Sequence, residues 1–504
     1  MRGNRRSFLS ASGATVLATA FQAVRSNSVS PMDFGAVGNG KADDRVAVEA
    51  AVKHALVKGL AIDGGAAEYG IAGQIVVSHQ VRPHVEKLRL RQLRPSKGQA
   101  TLSFVDCQQV RIESLSLHVG SGKAVGHMDD TVGLLVAGGS DHSIRNVAAT
   151  GDGNLTYIRF SGCVDSNFEN IHVYDGEFEN FEEERVTQDG APLGTIRVPD
   201  DVVQGIHLAD CTRCNLVNPV VRNLLGNATY FTLNNTVKPY RNLRTRGICG
   251  GGNIDCTVAN AKVSNVEQGI DFSGGGNGWG NRAVVIQGGH TRNCGSVGVK
   301  YANAPNGCKV IGHIAENCGM YCYLLTGYDT KVRGSDNSFI GCDAINPGYN
   351  DIRSASDTER IVYAGFRLLQ SFPAGLIGSR LLNCRAIDKQ GFYLATDDSP
   401  WAPVGARQAT IAEAWTGFTG QYEATFTTSE GPEKKTVTLT AGSAVVQWRD
   451  GLAAPVVHPF VSRPAKMRYG ASCEAPYDPS ARRPNTIVDF ESAGHLVSAA
   501  RGFQ

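Results

Sequence analysis

Four side chains that can bind anions or move protons stand at the same place in four short, similar segments of the sequence. They are Arg159, His207, Asp271 and Lys300, and each lies between two hydrophobic residues. A cation can pair with a substrate carboxylate, an unprotonated imidazole or amine can accept a proton, and a carboxylate can orient either base. This combination suits proton removal beside a carboxylate group, provided that the fold brings the four segments together.

The segments belong to a longer repeat that predicts how they meet. Each reads apolar, variable, apolar, small, small, and the repeats lie about two dozen residues apart, or further where a loop intervenes. Short strands recurring at this period with Gly and Asn are typical of a solenoid. Strand alternation places the apolar residues inside and the variable residue outside, and neighbouring strands lie about 4.8 Å apart. The predicted outer column is Leu135, Arg159, His207, Thr232, Asp271, Lys300, a residue near Leu324, Arg367 and Tyr393.

Composition sets limits on the class of protein. The chain has 504 residues, of which 42% are hydrophobic, and its net charge is only +2. The small charge argues against a nucleic-acid binder and against attachment to a membrane surface. The 13 cysteines are odd in number and dispersed, so we expect thiols stacked inside the solenoid rather than a disulfide framework. The "CTRC" motif that starts at Cys211 has no second half that would complete a zinc site.

The N-terminus has the features of a targeting segment. Twin arginines, Arg5 and Arg6, precede a short apolar run that is too brief to span a bilayer. It resembles a twin-arginine export signal, with residues 1–20 removed after the "ATA" ending at Ala20. A bacterial protein of the periplasm or the exterior is therefore expected, and no later segment is apolar enough for a membrane span.

The stretch after this segment carries a family resemblance. Asp33 to Ala36, two following glycines, Asp43 and Asp44 match the opening of the pectate-lyase-like superfamily. A lysine within "GNGKADD" and the absence of the proline after the first strand depart from that pattern. The resemblance implies a right-handed parallel β-helix over residues 31–400, with a capping helix over 43–58 that covers the open N-terminal end. It does not imply pectate as the substrate.

The capping helix can also be read from its own residues. Asp43 or Asp44 is placed to cap it, apolar side chains recur on one face, and Gly59 ends it. After about residue 400 the pattern changes to alternating strands joined by turns. Residues 401–504 are therefore predicted to form a small antiparallel β module, followed by an irregular tail from 465.

Two insertions are predicted to wall a groove beside the outer column. Residues 175–204 are acidic and aromatic, and residues 234–255 are basic. Loops on a rigid scaffold commonly carry function. The side chains predicted to bind substrate in this groove are Arg241, Arg244, Lys238, Tyr240, Tyr301, Asp201 and Arg367.

The leading hypothesis is cleavage of an acidic, uronate-containing polysaccharide by β-elimination, with Asp271, Lys300, His207 and Arg159 as the catalytic group. In it Lys300 or His207 is the base, and Tyr240 or Tyr301 is the acid. A glycoside hydrolase is the alternative and needs two carboxylates about 5 to 9.5 Å apart; the column offers Asp271, and the second would come from Asp200, Asp201 or Glu177. A uronate epimerase or a non-catalytic adhesin remains open, and each charged residue taken alone is also compatible with a surface ion pair.

No cofactor is required by this chemistry, although calcium is an alternative in which Asp271 joins Asp200 and Asp201. The identity of any metal is left open by the sequence. The expected partner is a polysaccharide and not a nucleic acid, and a homo-oligomer is compatible with this architecture.

Overall fold

The computed structural model describes most of the chain between residues 27 and 494. The described ranges are 27–94, 98–119, 131–151, 156–178, 181–186, 192–198, 203–226, 231–233, 236–238, 245–274, 280–327, 334–348, 363–370, 376–388, 392–394, 401–411, 414, 420–440, 442–457, 460–461, 468–473 and 484–494. The predicted signal segment, 1–20, lies outside them. Within them, no helix has the length and apolarity needed to cross a membrane.

The front of the molecule is an 11-stranded sheet, sheet 1, to which each coil of the chain contributes one strand. All pairings between the described strands of this sheet are parallel and in register. In spatial order its strands are Ile75–Ser78, Ala100–Val105, Val132–Ala137, Thr156–Ser161, Val203–Ala209, Thr245–Gly251, Gln268–Phe272, Val297–Tyr301, Tyr321–Gly327, Tyr363–Gln370 and Arg468–Cys473.

The rest of each coil runs through sheet 2, a parallel sheet of 23 strands to which most coils contribute two short strands. Its strands are Ser28–Val29, Asn39–Asp43, Ala61–Asp63, Glu68–Ala72, His84–Arg94, Arg111–Ile112, Leu115–Val119, Ser143–Gly151, Asn167–Phe178, Asn215–Val217, Val220–Gly226, Thr257–Ala259, Lys262–Ser264, Val285–Gln287, His290–Arg292, Lys309–Ile311, Ile314–Glu316, Ser338–Ile340, Asp343–Ile345, Arg380–Leu382, Arg385–Asp388, Thr486–Val488 and Glu491–Gly494. The predicted right-handed parallel β-helix is confirmed.

Asparagine side chains hold the corners of the coil in register. Asn223, Asn265, Asn293, Asn317 and Asn346 occupy one corner in consecutive coils, each with φ between 52° and 56°. Asparagine adopts this left-handed conformation more readily than other non-glycine residues. The side-chain amide of each of the last four donates to the amide oxygen of the asparagine one coil earlier, at 2.7 to 3.3 Å, and that of Asn223 donates to Asp175. The stack therefore fixes both the turn and the alignment of the coils.

The interior is one continuous apolar core between the two sheets. Aromatic rings stack along it, for example Tyr323 on Phe366 with ring centroids 4.7 Å apart. All 13 cysteines are buried and none forms a disulfide, as expected from their repeated positions. Several thiols donate to backbone carbonyls of the preceding coil, as Cys256 does to Cys211 at 3.3 Å.

A helix closes the N-terminal end of this core. A 3-10 turn, Pro31–Phe34, precedes α1, Arg45–Lys58. Val48, Val52 and Ala55 of α1 are buried on the core, and Gly59 ends the helix with φ 64°. The capping prediction needs a correction for Asp44, whose carboxylate accepts hydrogen bonds from the backbone of Val37 and Gly38 instead of the first helical turn. Asp43 is the residue whose side chain accepts from Arg45.

The C-terminal region divides into a module and a returning coil. The module is a four-stranded antiparallel sheet, Gln408–Thr410, Gly420–Thr428, Gly431–Leu439 and Val445–Trp448, with its own buried cluster. The prediction of an irregular tail is wrong over Arg468–Cys473 and Thr486–Gly494, because these residues add a last coil to sheets 1 and 2. The β-helix therefore continues past the module.

The remaining strands lie outside the two large sheets. An antiparallel sheet is formed by two strands of the first long insertion, Phe181–Val186 and Pro192–Val198, with Phe231–Leu233, just before the second insertion, and Thr236–Lys238 within it. Gly334–Ser335 pairs with Leu376–Ile377, and Phe392–Tyr393 pairs with Phe460–Val461. Thr232 and Tyr393 are thus in antiparallel pairings and not in the outer column.

Candidate functional site

A repeated irregularity in sheet 1 puts two columns of side chains on its outer face. The pairing passes from Gln204–Arg246 to Ile206–Ile248 and omits the glycines between them. A Cβ added to Gly247 would lie 2.4 Å from Val263 in the core, so this glycine faces inward, as does the buried Ile248 after it. Because Gly247 and Ile248 both face inward, the alternation of the strand is interrupted once, and Arg246 before them faces outward.

The first of these columns, the outer column, follows from the register. It runs Leu135, Arg159, His207, Cys249, Asp271, Lys300, Leu324, Arg367 and Ser472 in consecutive coils. The predicted neighbours Arg159 with His207, and Asp271 with Lys300, are thus neighbours. The second, the flanking column, runs Thr156, Gln204, Arg246, Gln268 and Val297.

Asp271 is the centre of the polar part of this surface. Its side chain has 0% exposure, and Lys300 Nζ lies 3.3 Å from Oδ1 while Arg246 Nε lies 3.1 Å from Oδ2. The Ser273 hydroxyl donates to Oδ1 at 2.6 Å. The side chains of Lys300 and Arg246 keep 13% and 28% exposure. A buried carboxylate therefore positions two cations that are still accessible from outside.

Arg159 and His207 form the N-terminal half of the site. Arg159 Nε and His207 Nδ1 are buried, and neither has a hydrogen-bond partner within the described ranges. Burial, together with the charges of Arg159 and Arg246, lowers the pKa of His207 to about 4. The imidazole is therefore neutral near pH 7 and has a nitrogen available as a proton acceptor.

Glu267 is a candidate that the sequence reasoning missed. It lies at the start of the strand that carries Asp271, and its backbone N–H donates to Thr245 Oγ1 at 2.8 Å. Burial raises the pKa of its carboxyl to about 7; Asp271 adds to the rise, whereas Arg246 and Lys300 oppose it. A carboxyl group with this pKa carries a proton below neutral pH and can donate it. The sequence feature that could have identified Glu267 is its position in "EQGIDF", directly before the predicted strand.

Cys249 stands in the outer column where the prediction had placed Thr232. It pairs in register with His207 on one side and Asp271 on the other. Burial raises the pKa of its thiol to about 12, so it is protonated and a poor nucleophile. Its small side chain lies between the neutral imidazole of His207 and the carboxylate of Asp271.

Two predicted substrate-binding residues are wrong because they lack accessible surface. Tyr301 has 1% exposure, and its hydroxyl donates to the backbone carbonyls of Val284 and Lys309 inside the core. It cannot serve as the acid either. Arg367 does lie in the outer column, but it has 3% exposure and donates to Ser472. Burial lowers its pKa.

The residues of the long insertions stay as predictions. Arg241, Arg244, Tyr240 and Asp201 lie outside the described residues, and of Lys238 only the strand is described. In the described part of the chain, no group of three or more His, Cys, Asp or Glu side chains could hold a metal ion.

An apolar cluster borders the site on its C-terminal side. Val297, Tyr321, Leu324, Ala364 and Tyr469 pack together as a cluster separate from the main core. By register they stand beside Lys300 and on the coils after it. Among the described residues, the polar surface is thus bounded at the coil of Lys300 and extends from there toward the N-terminal coils.

Comparisons with known proteins identify similarity of fold. No family model and no curated protein matches the sequence. Among solved structures, the Dettilon tailspike protein gp208 is 12% identical, with 86% of this chain and 93% of that chain covered and a TM-score of 0.40. The Azotobacter vinelandii mannuronan C-5 epimerase AlgE4 A-module is 10% identical, with 94% and 99% covered and a TM-score of 0.39. An endo-xylogalacturonan hydrolase from Aspergillus tubingensis is 11% identical, with 74% and 86% covered and a TM-score of 0.35.

Proposed function

We propose that this chain binds an acidic, uronate-containing polysaccharide on the outer face of sheet 1 and cleaves it by β-elimination. The observation that carries the proposal is one surface that combines Arg159 and the neutral imidazole of His207 with Arg246 and Lys300, two cations that pair with the buried carboxylate of Asp271. Cations placed at a carboxylate substrate neutralise it and stabilise the negative charge that develops when the neighbouring carbon loses its proton.

Each residue of the site has one role in the proposed elimination. A uronate carboxylate pairs with Arg246, and the neutral imidazole of His207 takes the proton from the carbon beside it. The electrons of that C–H bond form a carbon–carbon double bond, and the bond to the glycosidic oxygen on the next carbon breaks. That oxygen takes its proton from Glu267. Exchange with solvent restores both groups.

The low pKa of His207 is compatible with this role. Part of the depression comes from the charges of Arg159 and Arg246. Substrate carboxylates bound at these two arginines offset that part and make the imidazole a stronger base when substrate is present. Lys300 is better suited to be a fixed cation than a base, because its ammonium pairs with Asp271.

Hydrolysis is a second candidate, since Glu267 supplies a protonated carboxyl in the neighbourhood of Asp271. A hydrolase would also need Asp271 to reach the sugar or a water molecule. Asp271 is fully buried and held by Ser273, Lys300 and Arg246. The geometry therefore favours elimination.

The products distinguish the reactions. We would incubate the purified chain with uronate-containing and neutral polysaccharides and record ultraviolet absorbance and reducing ends. Elimination gives both signals, hydrolysis gives only reducing ends, epimerisation gives neither but changes the NMR spectrum, and an adhesin leaves the polymer unchanged. His207→Gln should abolish the absorbance, whereas Lys262→Gln, an exposed cation on sheet 2, should retain it. Reducing ends without absorbance would refute elimination.

Export remains part of the proposal. If residues 1–20 direct twin-arginine transport, replacing Arg5 and Arg6 by lysine should retain the protein inside a bacterial host. Unchanged delivery to the periplasm or medium would contradict it.

A further inference from the structure

The accessible cations of the site recur at every second coil. Arg159, Arg246 and Lys300 lie on strands Thr156–Ser161, Thr245–Gly251 and Val297–Tyr301. One strand, Val203–Ala209, lies between the first two, and one, Gln268–Phe272, lies between the last two. Because neighbouring strands are about 4.8 Å apart, successive cation-bearing coils are about 10 Å apart.

The coils between the cations carry groups of a different kind. Gln204 and His207 stand on the first, and Gln268 and Asp271 on the second. The amides and the neutral imidazole can hydrogen-bond hydroxyl or N-acetyl groups, which carry no charge. Asp271 would repel a carboxylate placed on its own coil. Negative charge on the ligand is therefore favoured at the coils of Arg159, Arg246 and Lys300, and it is disfavoured at the coil of Asp271.

A two-coil step is close to the length of an extended disaccharide of pyranose rings. We infer that the outer face of sheet 1 selectively binds a polymer that presents one carboxylate per disaccharide toward the protein. Arg159, Arg246 and Lys300 each face one such carboxylate. The inference rests on the proposed function for the identity of the substrate as an acidic polysaccharide. It adds the charge pattern and a length of about five sugars.

The apolar cluster fixes where this row ends. Tyr321 and Leu324 occupy the two columns on the coil after Lys300 and are buried. A sugar chain that leaves the Lys300 position therefore meets an apolar border, and longer substrates extend past Arg159 toward the N-terminal coils.

Two kinds of polymer present this pattern. One alternates a uronate with a neutral sugar. The other is a uniform uronan with twofold symmetry, in which every second carboxylate points away from the outer face of sheet 1. Oligosaccharides of both kinds, and the carboxyl-reduced form of the alternating kind, are the probes.

The test measures binding of size-defined oligosaccharides by calorimetry in a His207→Gln background, so that cleavage does not interfere. An alternating hexasaccharide carries three carboxylates and a tetrasaccharide carries two. We expect the hexasaccharide to bind roughly tenfold more tightly, since a charged hydrogen bond typically contributes that much. Arg159→Gln should lower the affinity for the hexasaccharide by about tenfold and leave the tetrasaccharide, which can sit on Arg246 and Lys300, within about twofold.

Lys300→Gln should give the same result from the other end of the row, and Lys262→Gln should change neither affinity. Equal losses for both oligosaccharides, or equal binding of the carboxyl-reduced form, would overturn the inference. If acidic oligosaccharides bind with this length dependence and no polymer is cleaved, the elimination chemistry fails and the charge pattern stands. If an acidic polymer is cleaved without the length dependence, the charge pattern fails alone. Tight binding of the uniform uronan assigns the second kind of polymer.

Discussion

Replacing Glu267 with glutamine should stabilise the chain at alkaline pH. The carboxyl of Glu267 is buried, and its pKa rises from 4.5 to about 7 on folding. Folding therefore favours the protonated form, and the stability that the proton provides is present below pH 4.5 and lost as pH rises through about 7. The difference between the two pKa values corresponds to about 3 kcal/mol.

The variant carries a neutral amide of the same shape at every pH. The free energy of unfolding of Glu267→Gln minus that of the wild type should therefore rise by about 3 kcal/mol between pH 4.5 and pH 8, and then stay constant. For a chain of this length, that is a difference in thermal midpoint of about 3 °C.

Thermal unfolding followed by circular dichroism across this pH range measures the effect. Comparing variant with wild type at each pH cancels the titration of all other groups that the two proteins share. Glu86→Gln is a matched control, because Glu86 is exposed on sheet 2 and its replacement should give a flat difference. A flat difference for Glu267→Gln as well would show that this carboxyl is ionised without penalty, and would remove it as the proton donor.

Further predictions concern activity, corners and thiols. The rate of cleavage should be bell-shaped in pH, falling below about 4 as His207 is protonated and above about 7 as Glu267 loses its proton; a rate that is flat from pH 4 to 9 would contradict both roles. Asp271→Asn should lower kcat about 100-fold by freeing the two cations it positions, with an unchanged circular dichroism spectrum, and Lys262→Gln should match the wild type. Asn265→Ala should lower the free energy of unfolding by about 2 to 4 kcal/mol through two lost ladder bonds and a strained left-handed residue, and Asn265→Gly should recover part of it; equal losses would refute the backbone contribution. A thiol reagent should modify none of the 13 cysteines in the folded chain and all of them in denaturant.

The sequence predicts the outer column well where parallel coils stack. Arg159, His207, Asp271 and Lys300 lie where the aligned segments put them, because an apolar–variable–apolar strand in a stacked coil has only one register that buries both apolar residues. Thr232 fails because the same local pattern also fits an antiparallel strand, and a strand's residues do not specify its partner. The burial of Arg367 is not visible in its own segment, since it depends on packing contributed by Ser472, more than 100 residues away.

The flanking column was missed for a backbone reason. Strict alternation would place Arg246 on the same side as Ile248, in the core. The inward glycine between them changes that parity, and Arg246 reaches Asp271 on the outside. The acidity of Glu267 depends on its desolvation by residues from other coils, which no single segment contains.

The stacked construction separates the size of the molecule from the spacing of its binding groups. Each coil of sheet 1 pairs only with the coil before it and the coil after it. Duplicating the one complete coil between Arg159 and Arg246, which contains Val203–Ala209, would move these two cations apart by one strand spacing, about 4.8 Å. A gene that gains one such unit would thereby acquire a site for a different sugar sequence in a single step, and the interior would keep its stacked construction.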